Sequence, residues 1–305
     1  MVLLVITARQ TKIKEGRQAY ENGSVAVQIQ SDIETALIND QVFASTTLAE
    51  TPVAEAKPKP YISAESYLVG NLKTGEIYID HNSKQVFPIA SISKLYTALV
   101  VEHLFKSDKD IVITKQMLDA GYGDAGHLSS DEKFTAKELL YPLLLESSND
   151  AAEAYAQSFG YAEFMEEMNA FAKEIGLDST SFKDASGISP YNVSNAQDLF
   201  ELAQYLYVHE KDILKVSSQT DFDMATTSDR KGHRFININP YAFHSGFIGG
   251  KTGRTDEALE SMITLIKQEA GTENYPIAVV VLRAGFTERE IDTEKLLGMF
   301  INKVK

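Results

Sequence analysis

A chain of 305 residues, 44% of them hydrophobic, can bury one large core or two modest ones. Its 29 basic and 43 acidic residues leave a net charge of −14, and no Lys/Arg-rich block stands out, so nucleic acid is excluded as a natural partner, because neutralising phosphates takes a basic face. Without cysteine there are no disulfides and no thiolate metal sites, and redox chemistry says nothing of the compartment.

Residues 1–8 (MVLLVITA) are apolar but too short to span a bilayer, and Arg9, Lys12, Lys14 and Arg17 follow them. A signal peptide carries its charge ahead of the apolar part, so this stretch reads either as the remnant of a signal or anchor or as a short strand or frayed terminus. Residues 12–50 are polar with one helical patch at 25–37, and residues 44–60 are Ala, Thr, Pro and Lys with little to bury. That composition predicts an extended linker, giving a tail and linker over 1–60 and a folded domain over 61–305.

Residues 66–69 and 76–79 are short β-prone runs joined by a Gly-Asn-Leu-Lys-Thr-Gly turn, which predicts a hairpin. Apolar residues then recur at helical spacing over 91–105, opened by Ser91-Ile92-Ser93-Lys94. From about 111 to 215 the pattern is mostly helical, at 136–145, 151–159, 162–175 and 196–208, with turns at 121–126 and 184–190. The tail returns to strand character: a hairpin over 222–238, strands at 247–255, 261–267 and 277–282, then an amphipathic helix at 288–303. Strands at both ends with helices between them predict an α+β fold, an antiparallel sheet flanked by helices with an inserted all-helical lobe. A cleft where lobe and sheet meet is the natural place for a site.

Ser91 and Lys94, three residues apart, share one helix face. An unassisted serine is a poor nucleophile, and a lysine can take its proton only where its surroundings hold it neutral. Bringing a lysine to about neutral pH means disfavouring its charge by roughly 4 to 5 kcal/mol. The pair alone is weak evidence, since Ser130-Asp131-Glu132-Lys133 is also S-x-x-K; that second match lies in a polar loop before Thr135 and Glu138, a capping box.

Ser147-Ser148-Asn149 sits between two helical runs and offers a hydroxyl that can shuttle a proton and an amide that can hold a carbonyl, or simply a helix cap. Lys251-Thr252-Gly253-Arg254 lies on the strand predicted at 247–255, where lysine and threonine can bind a carboxylate and glycine lets a substrate lie close. Lys73-Thr74-Gly75 repeats the K-T-G triplet in a hairpin turn, which explains it fully. Gly250-Lys251-Thr252 also copies half of a phosphate loop, but Ser245 stands where its first glycine belongs and no helix follows.

The ordered series S-x-x-K, S-x-N, K-T-G is the combination that separates these matches from chance. With it, the chain resembles the serine-type D-alanyl-D-alanine carboxypeptidases of the low-molecular-mass penicillin-binding class, over about residues 61–301. The likeness extends to the stretches around the motifs, to Asp184-Ala185-Ser186-Gly187-Ile188-Ser189 and to Asn237-Ile238-Asn239. It implies Ser91 as acylated nucleophile, Lys94 as its base and Ser147 as proton relay. It implies Asn149, Lys251, Thr252 and Gly253 as substrate-binding residues, with the backbone N–H of Ser91 and Arg254 facing the oxyanion. The implied partners are a peptidoglycan stem peptide and, as covalent inhibitors, β-lactams; the implied setting is the outside of the cell membrane, with any membrane attachment N-terminal, since the chain closes soon after its last helix. No cofactor is implied.

Two departures bear on activity. Residues 256–260 (Asp-Glu-Ala-Leu-Glu) lack the glycine that many relatives carry after K-T-G, and no E-x-x-x-N element of the class A β-lactamase kind is present, so efficient penicillin hydrolysis is not expected. The alternatives are a D,D-endopeptidase or β-lactamase of the same fold, or a non-catalytic wall-binding module. His81, His103, His127, His209, His233 and His244 make no metal-ligand spacing, and Asp124, Asp131 and Glu132 near His127 read as a solvated loop.

Overall fold

The computed structural model describes residues 60–305 with the exception of Asp124. The tail, the linker and the patch at 25–37 expected from the sequence lie, Pro60 apart, outside the described residues. Strands β1 (Ser66–Asn71) and β2 (Ile77–His81) form the predicted hairpin. Its turn is tied by Asn71 Oδ1, which accepts the N–H of Lys73 (2.9 Å) and Thr74 (3.2 Å), so the first K-T-G triplet is turn chemistry.

After β3 (Phe87–Pro88), a 3₁₀ turn at Ala90–Ile92 leads into α1 (Ser93–Leu104). The lobe follows: β4 (Asp110–Val112), α2 (Lys115–Gly121), β5 (Lys133–Thr135), α3 (Leu140–Leu145), α4 (Asn149–Phe159) and α5 (Tyr161–Glu174). Then come β6 (Val193–Ser194), α6 (Ala196–His209), α7 (Lys211–Ser217) and the hairpin β7 (Asp221–Met224) with β8 (His233–Ile236). The chain closes with β9 (Phe247–Thr255), β10 (Leu259–Ala270), β11 (Glu273–Ala284) and α8 (Arg289–Val304).

The main sheet runs β2-β1-β11-β10-β9, all antiparallel, so the two ends of the domain build one sheet with the lobe between them. Its strands bury both faces by alternation. Leu68, Val280, Leu282, Ile263 and Leu265 face the lobe, whereas Val69, Val279, Val281, Met262 and Ile266 pack with Leu296, Leu297 and Phe300 of α8. α1 is buried on every side from Ser93 to Val101, the pattern of a helix inside the core rather than on it. Its first turn is thereby held rigid beside β9.

Two local expectations are corrected. Lys133 opens β5 and pairs with Val112, so the second S-x-x-K ends in a strand rather than in a loop. Glu132 is not in a solvated loop: it is buried, its Oε1 stands 3.0 Å from His233 Nε2, and its Oε2 accepts the N–H of Ser129 (2.8 Å). A partner about a hundred residues away in sequence replaces water. No helix among the described residues is long and apolar enough to cross a membrane.

Candidate active site

Ser91 sits in the 3₁₀ turn ahead of α1, half-buried, after Ala90, which holds a left-handed φ of 47°. Lys94 comes one turn later and is fully buried. Its Nζ has three oxygen neighbours: Ser91 Oγ at 2.9 Å, Asn149 Oδ1 at 2.8 Å and the Ser186 carbonyl at 2.6 Å. Burial pulls the Lys94 amine from 10.5 down to about 7, against the opposing pull of Asp184. A neutral amine has two N–H groups and one lone pair. Asn149 Oδ1 and the Ser186 carbonyl can only accept, so they take the two N–H groups and the lone pair is left for the Ser91 hydroxyl proton.

The second motif turns a corner between α3 and α4. Ser148 caps α4, its Oγ accepting from Ala151 N at 3.2 Å, so the capping role falls on the middle residue of the motif and releases the other two. Ser147 holds a φ of 63°, is half-buried, and its hydroxyl has no hydrogen-bond partner among the described residues. Asn149 is tied at both ends, Oδ1 to Lys94 and Nδ2 to the Tyr122 carbonyl at 3.0 Å.

The third motif is the buried middle of β9, an edge strand of the sheet. Lys251 Nζ donates to the Thr252 carbonyl at 2.9 Å. Burial holds Lys251 well below the usual lysine range, and the positive charges of Lys94 and Arg289 push the same way. Glycine at 253 follows from distance: a Cβ there would stand 2.7 Å from the Ile89 carbonyl oxygen and 3.1 Å from the Ser91 nitrogen. β9 therefore lies against the backbone of Ser91 itself. The Arg254 side chain leaves the cleft, 3.8 Å from Glu260 and over the Phe286 ring at 4.8 Å, so what Arg254 offers the site is backbone. Three distant segments thus meet, through Lys94–Asn149 and through Gly253 against Ser91.

The family profile of D-alanyl-D-alanine carboxypeptidases matches residues 52–285. The chain belongs to the D-alanyl-D-alanine carboxypeptidase family. It is 30% identical over 248 residues to a D-alanyl-D-alanine endopeptidase of Escherichia coli, covering 79% of this chain and 78% of that protein. It is 30% identical over 242 residues to the D-alanyl-D-alanine carboxypeptidase DacF of Bacillus subtilis, covering 77% of this chain but only 61% of that protein. The crystal structure of a Streptomyces DD-transpeptidase superposes with a TM-score of 0.72 at 26% identity, covering 81% of this chain and 100% of that one.

In this carboxypeptidase-family chain the site also uses the stretch 184–189, which the sequence offered only as part of the family likeness and with no role for its residues. The Ser186 carbonyl holds Lys94, and Asp184 fixes that carbonyl: its Oδ1 accepts from Ser186 N (2.8 Å), Ser186 Oγ (2.9 Å) and Gly187 N (2.5 Å), its Oδ2 from Ser189 N (2.5 Å). Thr97 Oγ1 donates to the Ala185 carbonyl at 2.5 Å, and Asn192 Nδ2 donates both to the Asp184 carbonyl (2.8 Å) and to Ser93 Oγ (3.1 Å), locking the loop to α1. The Asp-x-Ser-Gly turn was the available signal; its carbonyl's target was not.

Proposed function

We propose that the chain is a serine D,D-carboxypeptidase that removes the terminal D-alanine from peptidoglycan stem peptides through an acyl-enzyme on Ser91. The observation that carries this reading is the buried Lys94 amine, lowered to about 7 and 2.9 Å from a half-buried Ser91 hydroxyl. Lys94 takes the Oγ proton as Oγ bonds to the carbonyl carbon of the penultimate residue. The oxyanion that forms faces the N–H groups of Ser91 and Arg254, and losing one such donor typically costs about 3 to 4 kcal/mol. When the C–N bond breaks, the proton returns to the leaving amine by way of Ser147, whose hydroxyl is uncommitted among the described residues. Water then attacks the acyl carbon and releases Ser91.

Lys251 and Thr252 receive the terminal carboxylate, and Gly253 lets the substrate backbone lie along β9. An incoming carboxylate supplies the negative charge that recharges the buried Lys251. Asn149 serves mainly to orient Lys94, with one remaining Nδ2 hydrogen for the substrate. The reading places the protein outside the cytoplasm, in the bacterial cell envelope, with β-lactams as covalent inhibitors.

Cleavage of cross-linked peptides is the second reading, favoured by the endopeptidase name of the Escherichia coli relative. Mass spectrometry of the protein after labelled penicillin tests the first step: the adduct is expected on the peptide carrying Ser91, and an intact protein with no label removes the proposal. Stem pentapeptide, cross-linked dimer and a chromogenic β-lactam, assayed side by side, rank the activities.

A further inference from the structure

Glu146 immediately precedes Ser147 and is half-buried at the corner between α3 and α4. No cation pairs with it among the described residues; its carboxylate is spent on backbone. Oε2 accepts the N–H of Gly126 at 2.9 Å and Oε1 accepts the N–H of Ile236 at 3.0 Å. Hydrogen bonds to an ionised acceptor are about twice as strong as neutral ones.

The two donors belong to different segments on either side of the corner. Gly126 lies in the loop that follows α2, where the described residues Tyr122 (φ 55°), Gly123 (115°), Gly126 (90°) and His127 (49°) all hold left-handed backbone. That loop touches the second motif twice more: the Tyr122 carbonyl accepts from Asn149 Nδ2 at 3.0 Å, and a Cβ on Gly126 would stand 2.7 Å from Ser148 Oγ. Ile236 ends β8, and two residues on Ile238 N donates to the Leu145 carbonyl at 3.0 Å. The Asn237 amide ties the same segment to Ser217 (2.8 Å) and Gln219 (2.7 Å).

Ser147 holds its left-handed φ between these two attachments, and a non-glycine residue stays in that region only where its surroundings over-determine it. We infer that Glu146 is a positioning residue for the reaction: its carboxylate sets the corner that carries Ser147 and Asn149 by gripping the loop after α2 at Gly126 with one oxygen and β8 with the other. The inference rests on the acyl-transfer reading above. Glutamine at 146 keeps the shape but turns an NH₂ toward one of the two N–H donors; aspartate keeps the charge but is one methylene too short to reach both.

The test uses the full chain with Glu146→Gln and Glu146→Asp, measuring kcat and KM on a stem pentapeptide, the rate of penicillin acylation, and the folded fraction at the assay temperature. A misplacement of about 1 Å can cost about a hundredfold, so kcat and acylation are expected to fall about ten- to a hundredfold in folded protein, with KM within about threefold of wild type. Either variant decides if the other does not fold. A folded variant with unchanged kcat overturns the inference, and so does a loss that merely follows the unfolded fraction. If wild type itself takes no penicillin on Ser91, it is the functional reading that has failed; wild type acylated and folded variants indifferent sinks the Glu146 role alone.

Discussion

Lys94 Nζ and Asn149 Oδ1 stand 2.8 Å apart, and through that contact α1 and α4 share one hydrogen-bonded unit. The first motif's amine is therefore aimed by the second motif's amide. The Ser186 carbonyl, 2.6 Å from the same nitrogen, completes the arrangement from a third segment. The lone pair has one direction left, and Ser91 occupies it.

Replacing Lys94 by Met keeps an unbranched side chain, one atom shorter, and removes the amine that the proposed reaction uses as proton acceptor. General-base catalysis contributes about 10² to 10⁴ in rate, so penicillin acylation and peptide turnover are expected to fall by that factor. Asn149 Oδ1 and the Ser186 carbonyl lose a donor each, which works against stability, while a buried amine no longer has to be desolvated, which works for it. The thermal midpoint should therefore move little compared with the loss in rate. A Lys94→Met protein that is acylated at the wild-type rate contradicts the assignment.

The pH dependence has a definite sign. In the proposed reaction Lys94 acts as a base in its neutral form, and its amine is held at about 7, so kcat/KM should climb tenfold per pH unit below about 7 and level off above it. Stability follows by linkage. Lys94 has a folded value of about 7 against 10.5 unfolded, so between those limits the unfolded chain binds more protons, and this group's contribution to stability rises with pH. Lys251, also lowered, acts in the same direction. Titrating kcat/KM, and comparing the pH slope of unfolding between wild type and Lys94→Met, checks both statements; a profile still climbing tenfold per unit beyond about pH 8 would contradict the lowered lysine, and one flat from pH 5 to about 8 would contradict a base held at about 7.

Gly253→Ala puts a methyl carbon 2.7 Å from the Ile89 carbonyl oxygen and 3.1 Å from the Ser91 nitrogen. Backbone is on both sides, so β9 must move away from the turn that carries Ser91. Overpacking of this kind costs about 1 to 3 kcal/mol in stability. The catalytic loss is expected to be larger, about a hundredfold in acylation, because the displacement falls between the proposed nucleophile and the strand proposed to bind the carboxylate. Stopped-flow acylation together with urea unfolding separates the two effects.

Much of this site was legible because its chemistry is carried by side chains at short spacing. The Ser91–Lys94 contact follows from helical periodicity, and the strand read at 247–255 coincides with β9 (Phe247–Thr255), which opens on the apolar pair Phe247-Ile248 and ends at the polar turn that begins with Asp256. What the sequence hides is of another kind. A backbone carbonyl such as that of Ser186 has no letter of its own, so Lys94's third neighbour was invisible. Ser147 and Ser148 are both serines, and only the backbone decides that 148 caps α4 while the hydroxyl of 147 has no hydrogen-bond partner among the described residues. Glu132 and His233 meet across about a hundred residues, and β4 and β5 pair through three residues each, too few for a period to show. Local periodicity does not report such pairings.

Asp184 gives a prediction that separates electrostatics from geometry. Its two oxygens accept four hydrogen bonds from the 186–189 turn, and Asp184→Asn leaves one oxygen to do so, at a cost of about 1.5 to 3 kcal/mol for each charged hydrogen bond lost. The Asp184 charge also favours the ammonium form of Lys94, so its removal should lower the Lys94 amine further and move the acid limb of kcat/KM toward lower pH. The loosened turn lets the Ser186 carbonyl drift from Lys94, which lowers the plateau. The variant is thus expected to be slower at its optimum yet to keep a larger share of its activity in acid than wild type does. A pH profile that keeps its midpoint while only the plateau drops would show that Asp184 acts through geometry alone.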